Sequence, residues 1–222
     1  MPCGVSRLVN AKKEKELSPL DNITDFEVFI SGRLKDLPGR NSHLKLASVN
    51  RPVYEPEGNY RIGSVMLLVN NKNNIPHLVM IQRAEDGKVH SGQIAFPGGK
   101  AEPDESLTLT ATRELEEEIG IADKSINIIG QLSRIYIPPS NYMVYPFIAT
   151  QIQTSVFLAN QNEVKEIFEI PLHSLIKNKT IIQGLQHQTT RGLITAPAFR
   201  IGNLVIWGAT AMILSEFIDL ID

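Results

Sequence analysis

The chain is predicted to fold as an α/β protein, and three features point there. Two apolar, alternating segments, Arg61–Val69 and His77–Gln82, flank the turn-like Asn70–Pro76 and read as paired strands. The stretch from Glu105 to Ile119 contains no Pro or Gly and is rich in Glu, Leu, Ala and Arg, so it reads as a helix. The segment Trp207–Ile221 closes the chain as an amphipathic helix with Ala209, Met212, Ile213, Phe217, Leu220 and Ile221 turned inward.

The elements follow in order. Residues 1–22 are polar and weakly patterned and read as a loose arm. Phe26, Phe29, Ile30 and Leu34 recur at helical spacing, with Thr24 or Asp25 as the cap, and Pro38-Gly39 ends that helix. A Pro-containing stretch to Gly58 leads into the two strands. After the helix at 105–119, Ile126–Ile137 is strand-like, Pro138-Pro139-Ser140-Asn141 interrupts it, and Met143–Thr150 resumes as a strand. Glu163–Glu169 and Ile181–Gln186 are weaker strand candidates.

Composition bounds the function. The 222 residues hold 22 Lys and Arg against 24 Asp and Glu, a net charge of −2, so no general attraction to nucleic acid or a membrane surface is expected. The single cysteine, Cys3, excludes an intrachain disulfide and a cysteine-built metal site. There is no 18-residue apolar run, and the start MPCGVSRLVNAKKEKEL lacks the apolar centre of a signal peptide. The expectation is a cytoplasmic enzyme acting on a small molecule, with a homodimer left open.

The chemistry is carried by a carboxylate cluster. On a helix, Glu114, Glu117 and Glu118 sit at i, i+3 and i+4, neighbours roughly 5–6 Å apart. They lie beside an apolar stripe of Leu107, Ala111, Leu115 and Ile119 and crowd the negative end of the helix dipole. A Glu run taken alone fits a solvated helix face equally well. A hard divalent cation, Mg²⁺ or Mn²⁺, would relieve the repulsion and bridge to substrate phosphates. The spacing of the whole stretch favours the cation. From Gly99 to Ile121 it reads Gly-x5-Glu-x7-Arg-Glu-Leu-x-Glu-Glu-x-Gly-Ile, with no position missing.

That 23-residue pattern resembles the signature box of the Nudix hydrolases, which split a nucleoside diphosphate linked to another moiety. The resemblance implies a Nudix α/β/α sandwich with a mixed sheet over residues 60–222, preceded by an N-terminal extension, 1–59, with one helix. It implies that Glu114, Glu117 and Glu118 are metal ligands, helped by the backbone carbonyl of Gly98. Arg113 is implied to orient a box carboxylate, Glu105 foremost, while Gly99 and Gly120 give a tight turn and a helix stop. A general base is also needed: Glu163 is the first candidate, Glu166 the second, and a box carboxylate such as Glu117 the third. A Nudix fold kept only as a ligand sensor would carry a damaged box, and this one is intact.

Residues 83–99, RAEDGKVHSGQIAFPGG, resemble the extra motif of the coenzyme A diphosphatase branch, Leu-Leu-Thr-x-Arg-(Ser/Ala)-x3-Arg-x3-Gly-x3-Phe-Pro-Gly-Gly, with Val79-Met80-Ile81 in place of Leu-Leu-Thr. Arg83, Ala84, Gly92, Phe96, Pro97, Gly98 and Gly99 match in register. Lys88 stands where the motif has Arg, keeping the charge and losing the bidentate fork. The resemblance implies a substrate site at Arg83, Lys88, His90, Gly92, Gly98 and Gly99. It also implies cleavage of coenzyme A or acyl-coenzyme A to 4′-phosphopantetheine, or its acyl form, and adenosine 3′,5′-bisphosphate. ADP-ribose or another nucleoside diphosphate derivative is the alternative. Ile137–Tyr142 and Ile206–Ala211 also resemble that branch, and Trp207 offers its ring either to an adenine or to ordinary core packing.

Overall fold

The computed structural model describes residues 18–48, 56, 58–85, 87, 90–153, 155–189 and 192–222. Two helices come first, α1 (Ile23–Arg33) and α2 (Arg40–Leu44), followed by strands β1 (Arg61–Lys72), β2 (Ile75–Arg83), β3 (Ile94–Ala95) and β4 (Gly98–Lys100). The box helix α3 (Leu107–Ile119) leads to β5 (Asn127–Gln131), β6 (Ile135–Ile137), β7 (Tyr142–Gln151) and β8 (Val164–Pro171). Helix α4 (Leu172–Lys177), strands β9 (Thr180–Thr189), β10 (Gly192–Ile201) and β11 (Leu204–Trp207), and helix α5 (Gly208–Ile221) complete the chain.

The main sheet is mixed. β1 lies at its centre, parallel to β7 and antiparallel to β2 and β4. β3 and β8 pair with β2, and β5 and β6 pair with β7. Both faces are covered, so the central strands are apolar throughout rather than alternating. The two-residue period then sorts side chains between two cores. Met66 and Leu68 of β1, with Val79 and Ile81 of β2, pack under α3 against Ala111, Leu115 and Ile119. Leu67 and Val69, with Leu78 and Met80, face the other way into the larger core with α1 and α5. Strands β9, β10 and β11 form a separate antiparallel sheet, with a bulge between Ala196 and Ala198. Among the described residues no helix is long and apolar enough to cross a membrane.

An 11-residue helix such as α1 is marginal by itself, so tertiary packing must hold it. Phe26 and Ile30 are wholly buried, and Phe26 meets Phe217 of α5 edge-on with centroids 6.4 Å apart. Each buried side chain of this size contributes about 1.5–3 kcal/mol. α2 docks on α5 through a buried pair, His43 Nε2 to Glu216 Oε2 at 2.9 Å.

Several boundaries differ from the sequence expectations, each for a local reason. The N-terminal arm at 1–22 is outside the described residues up to 17, but Leu20 is buried in the larger core. Asn22, rather than Thr24 or Asp25, caps α1 by accepting from the Asp25 N–H at 2.9 Å. The box helix starts at Leu107 with Ser106 as its cap, because Glu105 turns aside to serve Arg113. The strand read over 126–137 is broken at 132–134, where the Ser133 N–H leaves the ladder for the buried Glu216 carboxylate at 3.2 Å. Helices α2 and α4 have no cue in the sequence pattern, whereas the hairpin of β10 and β11 is signalled by the two-residue turn Gly202-Asn203 between apolar-rich runs at 198–201 and 204–207.

Candidate active site

The site forms where β4 meets α3. Gly98 has φ of 151°, and a Cβ there would lie 2.3 Å from the Ser64 carbonyl oxygen, so only glycine lets β4 lie this close to β1. Gly99 serves the helix instead: a Cβ there would fall 2.4 Å from the Glu114 carboxylate. At the far end Gly120, with φ of 75°, ends α3 in the left-handed conformation and donates to the Glu116 carbonyl.

The three helix carboxylates differ in exposure. The side chain of Glu118 is 1% exposed, that of Glu114 14%, and that of Glu117 54%. The Gly98 N–H donates to Glu118 Oε2 at 2.9 Å, and Arg83 Nη1 approaches Oε1 at 3.4 Å. Burial pushes the Glu118 carboxyl up to about 7, against the pull of Gly98 and Arg83 and with further push from Glu114 and Glu163. Burial also raises Glu114, which Arg113 partly offsets.

Arg113 ties the cluster together. It grips Glu105 with Nε at 2.9 Å and Nη2 at 3.2 Å, while Nη1 reaches Glu114 Oε1 and Glu117 Oε2, each at 2.9 Å. Glu105 also accepts from Thr110 Oγ1 and the Glu102 N–H, and its carboxyl is held at about 2, chiefly by the Arg113 hydrogen bond.

The fold also brings in residues from elsewhere in the sequence. The Ala84 N–H donates to the Glu163 carbonyl at 2.8 Å, and the Glu163 charge acts on both Glu114 and Glu118. Glu166 lies exposed on β8 opposite Gln82. In the upstream loop His90 (φ 69°) lies 3.0 Å through Nδ1 from Gln93 Oε1, and the Gly92 carbonyl accepts from Gln82 Nε2 at 3.2 Å. Lys88 lies outside the described residues. Among the described residues, no three His, Cys, Asp or Glu side chains stand arranged around a single metal position. Arg113 Nη1 sits between Glu114 and Glu117 instead. The donors nevertheless suit a hard cation, because the buried Glu118 carboxylate is compensated only by the Gly98 N–H and a long contact with Arg83, and the half-buried Glu114 lies beside it on the same helix.

A fold and a carboxylate helix of this kind define a diphosphate-hydrolysing class, and comparison with known proteins gives the family. The NUDIX domain family matches residues 59–189. The chain is 36% identical over 146 residues to the uncharacterized Nudix hydrolase NudL of Yersinia pestis, covering 63% of this chain and 69% of that protein. In structure it is similar to a MutT/nudix family protein from Enterococcus faecalis, with a TM-score of 0.51 and 17% identity over 82% of this chain and 73% of that one. The chain belongs to the Nudix family and is a hydrolase of nucleoside diphosphate derivatives, a family that works with divalent metal ions.

Proposed function

We propose that the enzyme hydrolyses the diphosphate of coenzyme A or acyl-coenzyme A, in the cytoplasm, with residues 60–222 as the Nudix domain and 1–59 as its extension. The observation that carries this reading is the convergence on Glu118. Gly98 and Arg83, at the two ends of the coenzyme A-type motif, both reach this one carboxylate of the box. The residues that would choose the substrate thus adjoin those that would cleave it.

In this reading Glu114, Glu117, Glu118 and the Gly98 carbonyl hold Mg²⁺ or Mn²⁺. When bound there, it would supply polarisation of the diphosphate and a more acidic water. To receive it, Arg113 Nη1 must release Glu114 and Glu117 while keeping its two-point hold on Glu105, which makes Arg113 a positioning residue. Glu163, exposed and close enough to feel the cluster, accepts the proton of the attacking water. Arg83, 35% exposed, is free to turn from its long contact with Glu118 toward a phosphate oxygen. Lys88, His90, Gly92 and Gly99 complete the substrate loop.

A panel of diphosphates assayed with the purified chain tests this. The kcat/KM for coenzyme A should exceed that for ADP-ribose by at least about tenfold, or about 1.4 kcal/mol of differential transition-state binding. The products should be adenosine 3′,5′-bisphosphate and 4′-phosphopantetheine. A clear preference for ADP-ribose would overturn the substrate and leave the hydrolase standing.

A further inference from the structure

Between the second sheet and the loop that enters β3 lies a cavity of about 300 Å³. Gly92, Gln93 and Ile94 line one side, and Gln186, His187 and Trp207 line the other. His187 is only 8% exposed and stacks on Trp207, with ring centroids 4.1 Å apart and planes 15° from parallel. Among the described residues its Nε2 is buried without a hydrogen-bond partner. Burial pushes the imidazole below its usual range, while a hydrogen bond to the Ala196 backbone pulls the other way. The ring is therefore neutral at neutral pH, and with Nδ1 assigned to Ala196 the proton resides there. His187 lines the cavity, and its Nε2 is a bare acceptor whose burial without a partner is costly unless a ligand supplies a donor.

We infer that this cavity is the subsite for the non-nucleotide arm of the substrate, and that His187 Nε2 accepts a hydrogen bond from an amide N–H on that arm. The inference rests on the substrate reading above. Arg83 links the cavity wall to the catalytic centre: its N–H donates to the Gln93 carbonyl at 3.0 Å while its guanidinium reaches Glu118. Trp207 also lines an aliphatic pocket with Leu46, Ile137, Pro138, Ala196 and Met212. A flexible aliphatic arm carrying amides suits this pairing of a polar cavity and an apolar pocket. A purine suits it less, since one face of Trp207 is already covered by His187. The family match ends at residue 189, so Trp207 lies in a part of the chain beyond it. Substrate choice can vary there without disturbing the box.

Calorimetric titration of the full chain with 4′-phosphopantetheine tests the subsite directly. His187→Phe keeps a flat ring and deletes the acceptor, and should weaken binding about tenfold, the loss of one hydrogen bond. His187→Gln restores an acceptor oxygen and should bind within about threefold of the parent. For coenzyme A the His187→Phe penalty should fall on KM with kcat little changed, and ADP-ribose turnover should stay within about twofold. In the parent protein the Nε2 nitrogen resonance of His187 should shift on saturation, a readout that needs no variant. Equal binding by His187→Phe, or no binding by the parent, would overturn the subsite. So would dependence on His187 for adenosine 3′,5′-bisphosphate instead. If coenzyme A is cleaved but His187 is indifferent, only the subsite falls. If coenzyme A is not cleaved while 4′-phosphopantetheine binding still depends on His187, the subsite stands and the substrate assignment falls.

Discussion

Arg83 Nη1 lies 3.4 Å from Glu118 Oε1, joining the end of β2 to the buried carboxylate of the box helix across 35 residues of sequence. The contact is long for a charge-assisted hydrogen bond. With the Gly98 N–H it is the chief compensation for a carboxylate that is 1% exposed. The fold alone does not fully satisfy the ionised form of this carboxyl, which burial pushes up to about 7.

Glu118→Gln should therefore separate activity from stability. Its kcat should fall by about 10²–10⁴, as on losing one essential electrostatic group, and Glu114→Gln should behave alike. EDTA should abolish parental activity, and Mg²⁺ or Mn²⁺ should restore it. The folded pKa of Glu118 is raised to about 7, so its contribution to stability is present below the unfolded value near 4.5 and is lost as pH rises through 7. At pH 8 and without added metal, the variant should melt no lower than the parent. Near-normal turnover in both Gln variants would remove the ligand assignment.

Arg113→Ala removes the group that spans Glu105, Glu114 and Glu117. A positioning residue of this kind is typically worth about 10–100-fold in activity. A loss much greater than that of Glu118→Gln, with the circular dichroism spectrum retained, would show the two roles to be reversed.

Acid sensitivity should follow the same arginine. Glu105 has its folded pKa depressed to about 2, so its stabilisation is present above the unfolded value near 4.5 and disappears as pH falls toward 2. In Arg113→Ala the Glu105 carboxyl should titrate much nearer its unfolded value, and melting temperature should depend less on pH between about 4.5 and 2. Carboxyl carbon chemical shifts of Glu105 in the two proteins read this directly. Equal titration midpoints would exclude Arg113 as the cause.

Gly99→Ala places a methyl group 2.4 Å from the Glu114 carboxylate, nearer than real side chains approach. The carboxylate end can give way, so the fold should survive while Glu114 leaves its position. Activity should fall about tenfold or more with little change in melting temperature, since small displacements in a preorganised site are costly. Full activity would mean that Glu114 does not need its present place.

Glu216 anchors the larger core away from the chemistry. It is fully buried and accepts from the Gly39 and Ser133 N–H groups, each at 3.2 Å, and pairs with His43 at 2.9 Å. Glu216→Ala leaves three buried polar groups unpaired and should cost about 3–5 kcal/mol, measured by denaturant unfolding. A loss below about 1 kcal/mol would mean that water replaces the carboxylate.

What the amino-acid sequence determined by itself was local chemistry at fixed spacing. The run Glu114, Glu117, Glu118 declares one helix face because helical periodicity converts spacing into position, and Gly98-Gly99 marks a close approach, to backbone at Gly98 and to the Glu114 carboxylate at Gly99. The central strands were likewise legible, since segments buried on both faces must be apolar throughout. Tertiary structure alone decided which distant residues join them. Nothing in the local pattern says that Arg83 reaches Glu118, or that the Glu163 charge acts on the box. The weakly patterned 180–207 segment forms its own sheet, setting His187 against Trp207 opposite the Gln93 loop. Such contacts depend on how strands register across a sheet and how two layers stack, and those are properties of the whole packed chain rather than of any segment within it.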